Sequence, residues 1–62
     1  MATGPELSSV NTRLQELTER VTAMAEQLSG TERDAVAQEL YEVERVLQTA
    51  ARRLEKVVNE LS

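Results

Sequence analysis

The chain has 62 residues, a net charge of −4 and a single aromatic residue, and 40% of its residues are hydrophobic. A chain this short is one folding unit, and it buries only about 60% of the surface that it exposes when unfolded. The lack of Cys excludes disulfides and thiolate metal sites, and the lack of His removes the commonest catalytic base and metal ligand. We therefore expect the fold to be stabilised by association, with itself or with another protein.

Targeting signals are not evident in the sequence. No apolar run approaches the roughly 20 residues that a membrane span needs. The first nine residues, MATGPELSS, have neither the basic start nor the apolar core of a signal peptide. We expect a cytoplasmic protein. Arg outnumbers Lys six to one, which we interpret as a sign of a GC-rich bacterial genome.

The first predicted helix runs from about residue 5 to residue 28. Pro5 suits a first helical turn, and Thr3 with Glu6 has the spacing of a capping box. The apolar residues follow an unbroken heptad spacing. The a positions are Leu7, Leu14, Val21 and Leu28, and the d positions are Val10, Leu17 and Met24. Many of the outer residues are short and polar and compete for the backbone, so this helix depends on packing.

Residues 29–31 are predicted to form a tight turn. Gly30 is placed to be the left-handed cap of the first helix, and Thr31 is placed to be the N-cap of the second, with Asp34 at N3. The heptad of the first helix would put its next a position at residue 35, but the following apolar residues are at 36 and 40. Because one residue of slip rotates a helical stripe by about 100°, an antiparallel hairpin is favoured over one long helix.

The second predicted helix runs from about residue 32 to residue 61, with a leucine every seventh residue from Leu40. We expect its a and d positions to face those of the first helix. Two registers stay open. Opposing like positions, such as Leu14 with Leu47, centres the loop at residues 30–31. Pairing a with d, such as Leu14 with Ala50, centres it at residue 32.

The second helix has more apolar surface than one partner helix needs, because its e and g positions also carry Ala and Val. This width predicts that a second helical pair docks there, most simply as a homodimer that forms a four-helix bundle. A different helical protein and a lone hairpin are the alternatives. The predicted interface consists of Val36, Leu40, Val43, Val46, Leu47, Ala50, Ala51, Leu54, Val57, Val58 and Leu61.

Catalysis and metal binding are not predicted. No a or d position holds a carboxylate, and metal sites inside bundles are built from inward-facing Glu and His. The acidic residues instead suit a solvated surface, with pairs such as Glu42 and Arg45 at helical spacing. We expect no catalytic residue, no cofactor and no metal.

A basic segment offers a second functional interpretation. It carries Arg45, Arg52, Arg53 and Lys56 with one acidic residue, Glu55, among them. The net negative charge and the lack of stacking aromatics speak against nucleic-acid binding, and the cations also complement the helix dipole. The predicted function is a non-enzymatic protein-interaction and self-assembly module that uses the apolar face of the second helix. The alternative is a small regulator that contacts nucleic acid or the transcription machinery through these cations.

Overall fold

The computed structural model describes residues 3–61, which form two α-helices and the turn between them. Helix α1 spans Thr3–Leu28 and helix α2 spans Asp34–Leu61. The helices pack against each other, and no strand occurs in this range. The all-helical, two-helix prediction is confirmed. Residues 1, 2 and 62, which belong to the predicted unit, lie outside the described residues.

The end of α1 has the predicted glycine cap. The Ser29 amide still donates to the Ala25 carbonyl at 2.9 Å, as in a regular helix. Gly30 then adopts a positive φ of 77°, a conformation that is energetically unfavourable for residues with a Cβ. The next amide, of Thr31, donates back to the Leu28 carbonyl at 3.2 Å. Gly30 therefore ends α1 and reverses the chain.

The start of α2 is tighter than a regular α-helical turn. The Thr31 hydroxyl accepts a bond from the Arg33 amide at 3.1 Å, which is the N-cap bond expected of this residue. The Asp34 amide donates to the Thr31 carbonyl at 3.0 Å, three residues back. This is a 3₁₀ turn, so regular α-helix begins at Asp34, two residues later than predicted. The Asp34 carboxylate also accepts from the Gly30 amide at 2.8 Å and ties the turn together.

The two helices meet along the e positions of their heptads, which we call the contact stripe. All eight residues of the stripe are buried or half-buried. The stripe consists of Gly4, Asn11, Thr18 and Ala25 from α1 and Ala37, Glu44, Ala51 and Val58 from α2. Most of these residues are small, and small residues at the contact allow two helix axes to approach closely.

The predicted seam between the a and d positions is wrong for the hairpin itself. The d residues of α1 are about half exposed: Val10 at 53%, Leu17 at 53% and Met24 at 52%. The a residues are half-buried, because they border the contact stripe on one side, except for Leu61 at the end of α2, which is 51% exposed. Each helix is thus rotated so that its small e residues, not its large a and d residues, face the other helix.

Two contacts set the register of the hairpin. A β-carbon built on Gly4 would lie 3.8–4.0 Å from atoms of Leu61. The Thr22 hydroxyl donates to the Glu44 carboxylate. The midpoints of these two pairs lie at residues 32 to 33, which is nearer to the predicted register centred at residue 32 than to the one centred at 30–31.

Candidate functional site

Both helices contribute to one apolar face of the hairpin. In each helix the d residues precede the contact stripe by one position and the a residues follow it by three. Antiparallel helices are related by an approximate two-fold axis normal to the plane that contains them. Equal offsets therefore place the two apolar surfaces on the same side of that plane.

This surface, which we call the apolar face, runs the length of a molecule that is 49 Å long. On α2, its exposed d residues include Val36 at 44%, Val43 at 44% and Val57 at 42%, and Leu61 at the end of the helix is 51% exposed. Exposed apolar surfaces of this kind, bordered by charged residues, are typical of interaction sites. The face consists of Leu7, Val10, Leu14, Leu17, Val21, Met24, Leu28, Val36, Leu40, Val43, Leu47, Ala50, Leu54, Val57 and Leu61.

Most residues of the predicted interface lie on or beside this face, with two corrections. Ala51 is only 8% exposed and Val58 is half-buried, because both belong to the contact stripe against α1. Neither is available to a second molecule in the way that the sequence predicted. Val46, at 57% exposure, lies on the outer edge of the face.

The sequence interpretation missed the share of α1. Val10, Leu17 and Met24 are as exposed as the valines of α2, so the face belongs to both helices and not to α2 alone. The signal was present in the matching heptads of the two helices. The same heptads also fit a seam closed between the two helices, and the small residues at the e positions distinguish the two arrangements.

Mostly charged residues form the two outer edges of the apolar face, which we call the flanks. Every flank residue is exposed. On α2, Arg53 shares a surface depression with Val46 and Ala50, which places its base beside the apolar face. The α1 flank consists of Glu6, Arg13, Arg20 and Gln27, and the α2 flank consists of Glu39, Val46, Arg53 and Glu60.

The register puts like charges at the same level of the hairpin. Since Gly4 lies beside Leu61 and Thr22 beside Glu44, Glu6 is level with Glu60. By the same spacing, Arg13 is level with Arg53. The members of each pair lie on opposite flanks, with the whole apolar face between them, so they do not oppose each other within one chain.

The four basic residues of the second functional interpretation are divided between two surfaces. Arg52 and Lys56 are exposed on the side of α2 that points away from the apolar face. Arg45 is exposed at the edge of that side, where it lines the same depression as Val46, and Arg53 is on the flank. The Arg45 Nε donates to the Glu42 carboxylate at 2.9 Å. This hydrogen bond, together with the attraction between the two opposite charges, lowers the pKa of Glu42 and raises the pKa of Arg45.

Polar side chains interrupt the contact stripe at three places. The Thr18 hydroxyl donates to the Leu14 carbonyl at 2.7 Å, four residues back in the same helix. Glu44 accepts from Thr22 of the other helix. Asn11 is 8% exposed, and its side-chain oxygen has no hydrogen-bond partner among residues 3–61.

Within residues 3–61, no group of three or more Asp or Glu side chains is placed to hold a metal ion. Neither α1 nor α2 combines the length and the apolarity that crossing a bilayer requires. Comparison with known proteins finds no matching family model, no matching curated protein and no matching solved structure.

Proposed function

We propose that this chain is a non-enzymatic self-association module and that a second copy covers the apolar face, forming a four-helix bundle. The observation that carries the proposal is the rotation of both helices. An isolated two-stranded coiled coil centres its a and d positions between its helices. Each helix here uses its e positions for the hairpin contact and turns its a and d positions outward.

That rotation matches one half of a four-helix bundle. A helix in such a bundle touches two neighbours, so its apolar face is centred on a and d, while e and g border the two neighbours. In this hairpin, the neighbour on the e side is present as the other helix. The second neighbour, which would cover the apolar face up to the g residues Arg13 and Arg53, would come from another molecule.

A second copy of the chain suits the face because the face complements itself. In α2 the a residues are all leucine, whereas the d residues are valine or alanine. When α2 packs antiparallel on the α2 helix of a second copy, each leucine lies against a smaller valine or alanine, so the core between the helices is filled without large gaps. Closed two-fold symmetry is also the commonest form of self-association.

The mechanism of assembly is burial of apolar surface, worth roughly 1.5–3 kcal/mol for each Val or Leu side chain that becomes fully buried. A hairpin of this size has little core of its own: its buried apolar residues within the described range are Ala25, Ala37 and Ala51. Folding and association are therefore coupled in this proposal. We place the module in the cytoplasm.

The test is the mass of the chain in solution, measured by light scattering and sedimentation together with its helical content. Wild-type protein should have twice the 6.9 kDa chain mass. Val43→Glu should give monomers that have also lost helix, because it puts a charge at the centre of the apolar face. Gln48→Glu is the matched control: its site is exposed on the opposite side of α2 and the variant should remain a helical dimer. A wild-type chain that is monomeric and fully helical would contradict the proposal.

A second candidate, a small regulator that contacts nucleic acid, is favoured by one observation. Arg52 and Lys56 point away from the apolar face, so dimerisation would leave them exposed and double their number. The pairing of Arg45 with Glu42 weakens this candidate. Fluorescence anisotropy with labelled duplex DNA and single-stranded RNA at low salt tests it, since contacts with phosphate are strongest there. Binding that is lost in Arg52→Glu would support it, and no binding would exclude it.

A further inference from the structure

We propose that the two copies pack with their loops pointing in opposite directions, with Glu39 of each copy beside the partner's Arg53 and with Val46 at the two-fold axis. This arrangement rests on the proposed self-association. It follows from the order of charges along the flanks and from the register of the hairpin.

Two closed arrangements bring the apolar faces of two copies together. The two-fold axis must lie in the plane between the faces, since each copy has to turn its face toward the other. An axis along the helices leaves both loops at the same end and sets α1 over the partner's α2. An axis across the helices puts the loops at opposite ends and sets each helix over its own copy.

The arrangement with both loops at one end sets like charges against each other. Rotation about an axis along the helices does not change the level of any residue. Glu6 would therefore meet the partner's Glu60 and Arg13 would meet the partner's Arg53, because these residues are level in the hairpin. Each of these repulsive contacts would occur twice. Repeated like-charge contacts along flanks select against a pairing of helices.

The arrangement with loops at opposite ends allows two registers that keep most of the length of α2 in contact and pack leucine on the smaller d residues. In the first, Leu47 packs on the partner's Val43, and Glu39 lies beside the partner's Arg53 on both flanks of α2. In the second, which is shifted by one heptad, Leu47 packs on the partner's Ala50. That shift sets Glu39 against the partner's Glu60, so the charges select the first register.

Among the flank residues of α1 and α2, the selected register has one repulsive contact. Arg20 is level with Val46, so it also lies near the two-fold axis and approaches the partner's Arg20. Glu16, one turn earlier on the exposed side of α1, lines the same surface depression as Arg20. Its negative charge reduces the repulsion between the two arginines. One like-charge contact and two opposite-charge pairs are more favourable than the four like-charge contacts of the other arrangement.

Charge reversal distinguishes the two arrangements by the direction of its effect. Arg53→Glu should raise the dimer dissociation constant about tenfold at low salt if it faces the partner's Glu39. Glu39→Arg should weaken the dimer similarly, and the double variant E39R/R53E should restore it. With both loops at one end, Arg53→Glu would instead face the partner's Arg13 and tighten the dimer. A tighter R53E dimer would overturn the proposal.

A distance measurement gives an independent result. The chain has no native Cys, so Ser8→Cys can carry a single spin label at an exposed site away from the apolar face. Twelve residues separate it from the level of the axis, so the two labels should be roughly 35 Å apart or more. With both loops at one end the labels would lie at one level on opposite outer sides of the bundle, so a distance of about 30 Å or less, set by the thickness of the bundle alone, would show that arrangement. Failure of the wild-type chain to dimerise would contradict the proposed function itself, whereas a short distance in a dimer would contradict the arrangement alone.

Discussion

Asn11 is the residue of the contact stripe whose environment suits it least. It is almost completely buried, and within residues 3–61 its side-chain oxygen has no hydrogen-bond partner. An amide oxygen that is buried without a partner costs about 1–3 kcal/mol. Heptad equivalents of this position hold Ala25 in the same helix and Ala51 in the other, and both fit between the helices without a polar group.

Replacing this side chain should stabilise the protein. We expect Asn11→Ala to raise the free energy of unfolding by about 1–2 kcal/mol, because it removes the unpaired oxygen and improves helix propensity. Thermal unfolding followed by circular dichroism, at one fixed chain concentration, measures the change. Asn11→Asp, which keeps the buried acceptor and adds charge, should lower the midpoint. A lower midpoint for Asn11→Ala would mean that the amide makes a stabilising bond in the assembled protein.

The contact stripe determines how each helix is rotated about its axis, because its small side chains allow the two helices to approach closely. Ala25, Ala37 and Ala51 are the most deeply buried apolar residues of the described chain. Each occupies an e position, and Ala37 and Ala51 are two heptads apart in α2. Larger residues there would hold the helices apart and let the a and d positions turn inward. The small residues of the stripe are therefore the reason that the apolar face points outward.

Enlarging a stripe residue should therefore be costly. We expect Ala51→Leu to destabilise the protein by about 1–3 kcal/mol, because a well-packed contact cannot take a larger side chain without strain. Ala23→Leu is the control, since Ala23 is exposed on the outer side of α1. Denaturant unfolding of both variants gives the comparison. Equal stabilities would show that the helices separate easily, and that the stripe does not set their orientation.

Local features of both helices could be predicted from the sequence, whereas their rotation could not. Heptad spacing and the left-handed position of Gly30 depend on neighbours in the chain, so the two helices and the turn were predicted within about two residues. The late start of α2 reflects a 3₁₀ turn that no residue pattern requires. The rotation depends on how many helices share the core, and a heptad pattern is compatible with two helices or four. The sequence accordingly predicts Ala51 at an outer interface, although this residue packs against α1.

At the scale of the whole molecule, coupled folding and association has a thermodynamic signature. We expect the thermal midpoint to rise steadily with chain concentration, because a dimer gains stability by mass action and a monomer does not. Circular dichroism melts over a hundredfold range of concentration would measure it, with loss of helix on dilution at constant temperature as the companion. Val43→Glu should show a low midpoint that does not change with concentration. The same constancy in the wild-type chain would mean that the hairpin folds alone.

The contact between Gly4 and Leu61 has a consequence for the connectivity of the chain. It sets the start of α1 beside the end of α2, at the pole opposite the turn. Packing along the stripe does not depend on which helix comes first, since both carry the same heptad pattern. A circular permutant that joins these two ends through a short flexible linker, and opens the chain within residues 29–33, should therefore keep the same two-helix structure. Its new ends would emerge where the turn now lies, so that cargo fused to the module could be moved from one pole to the other.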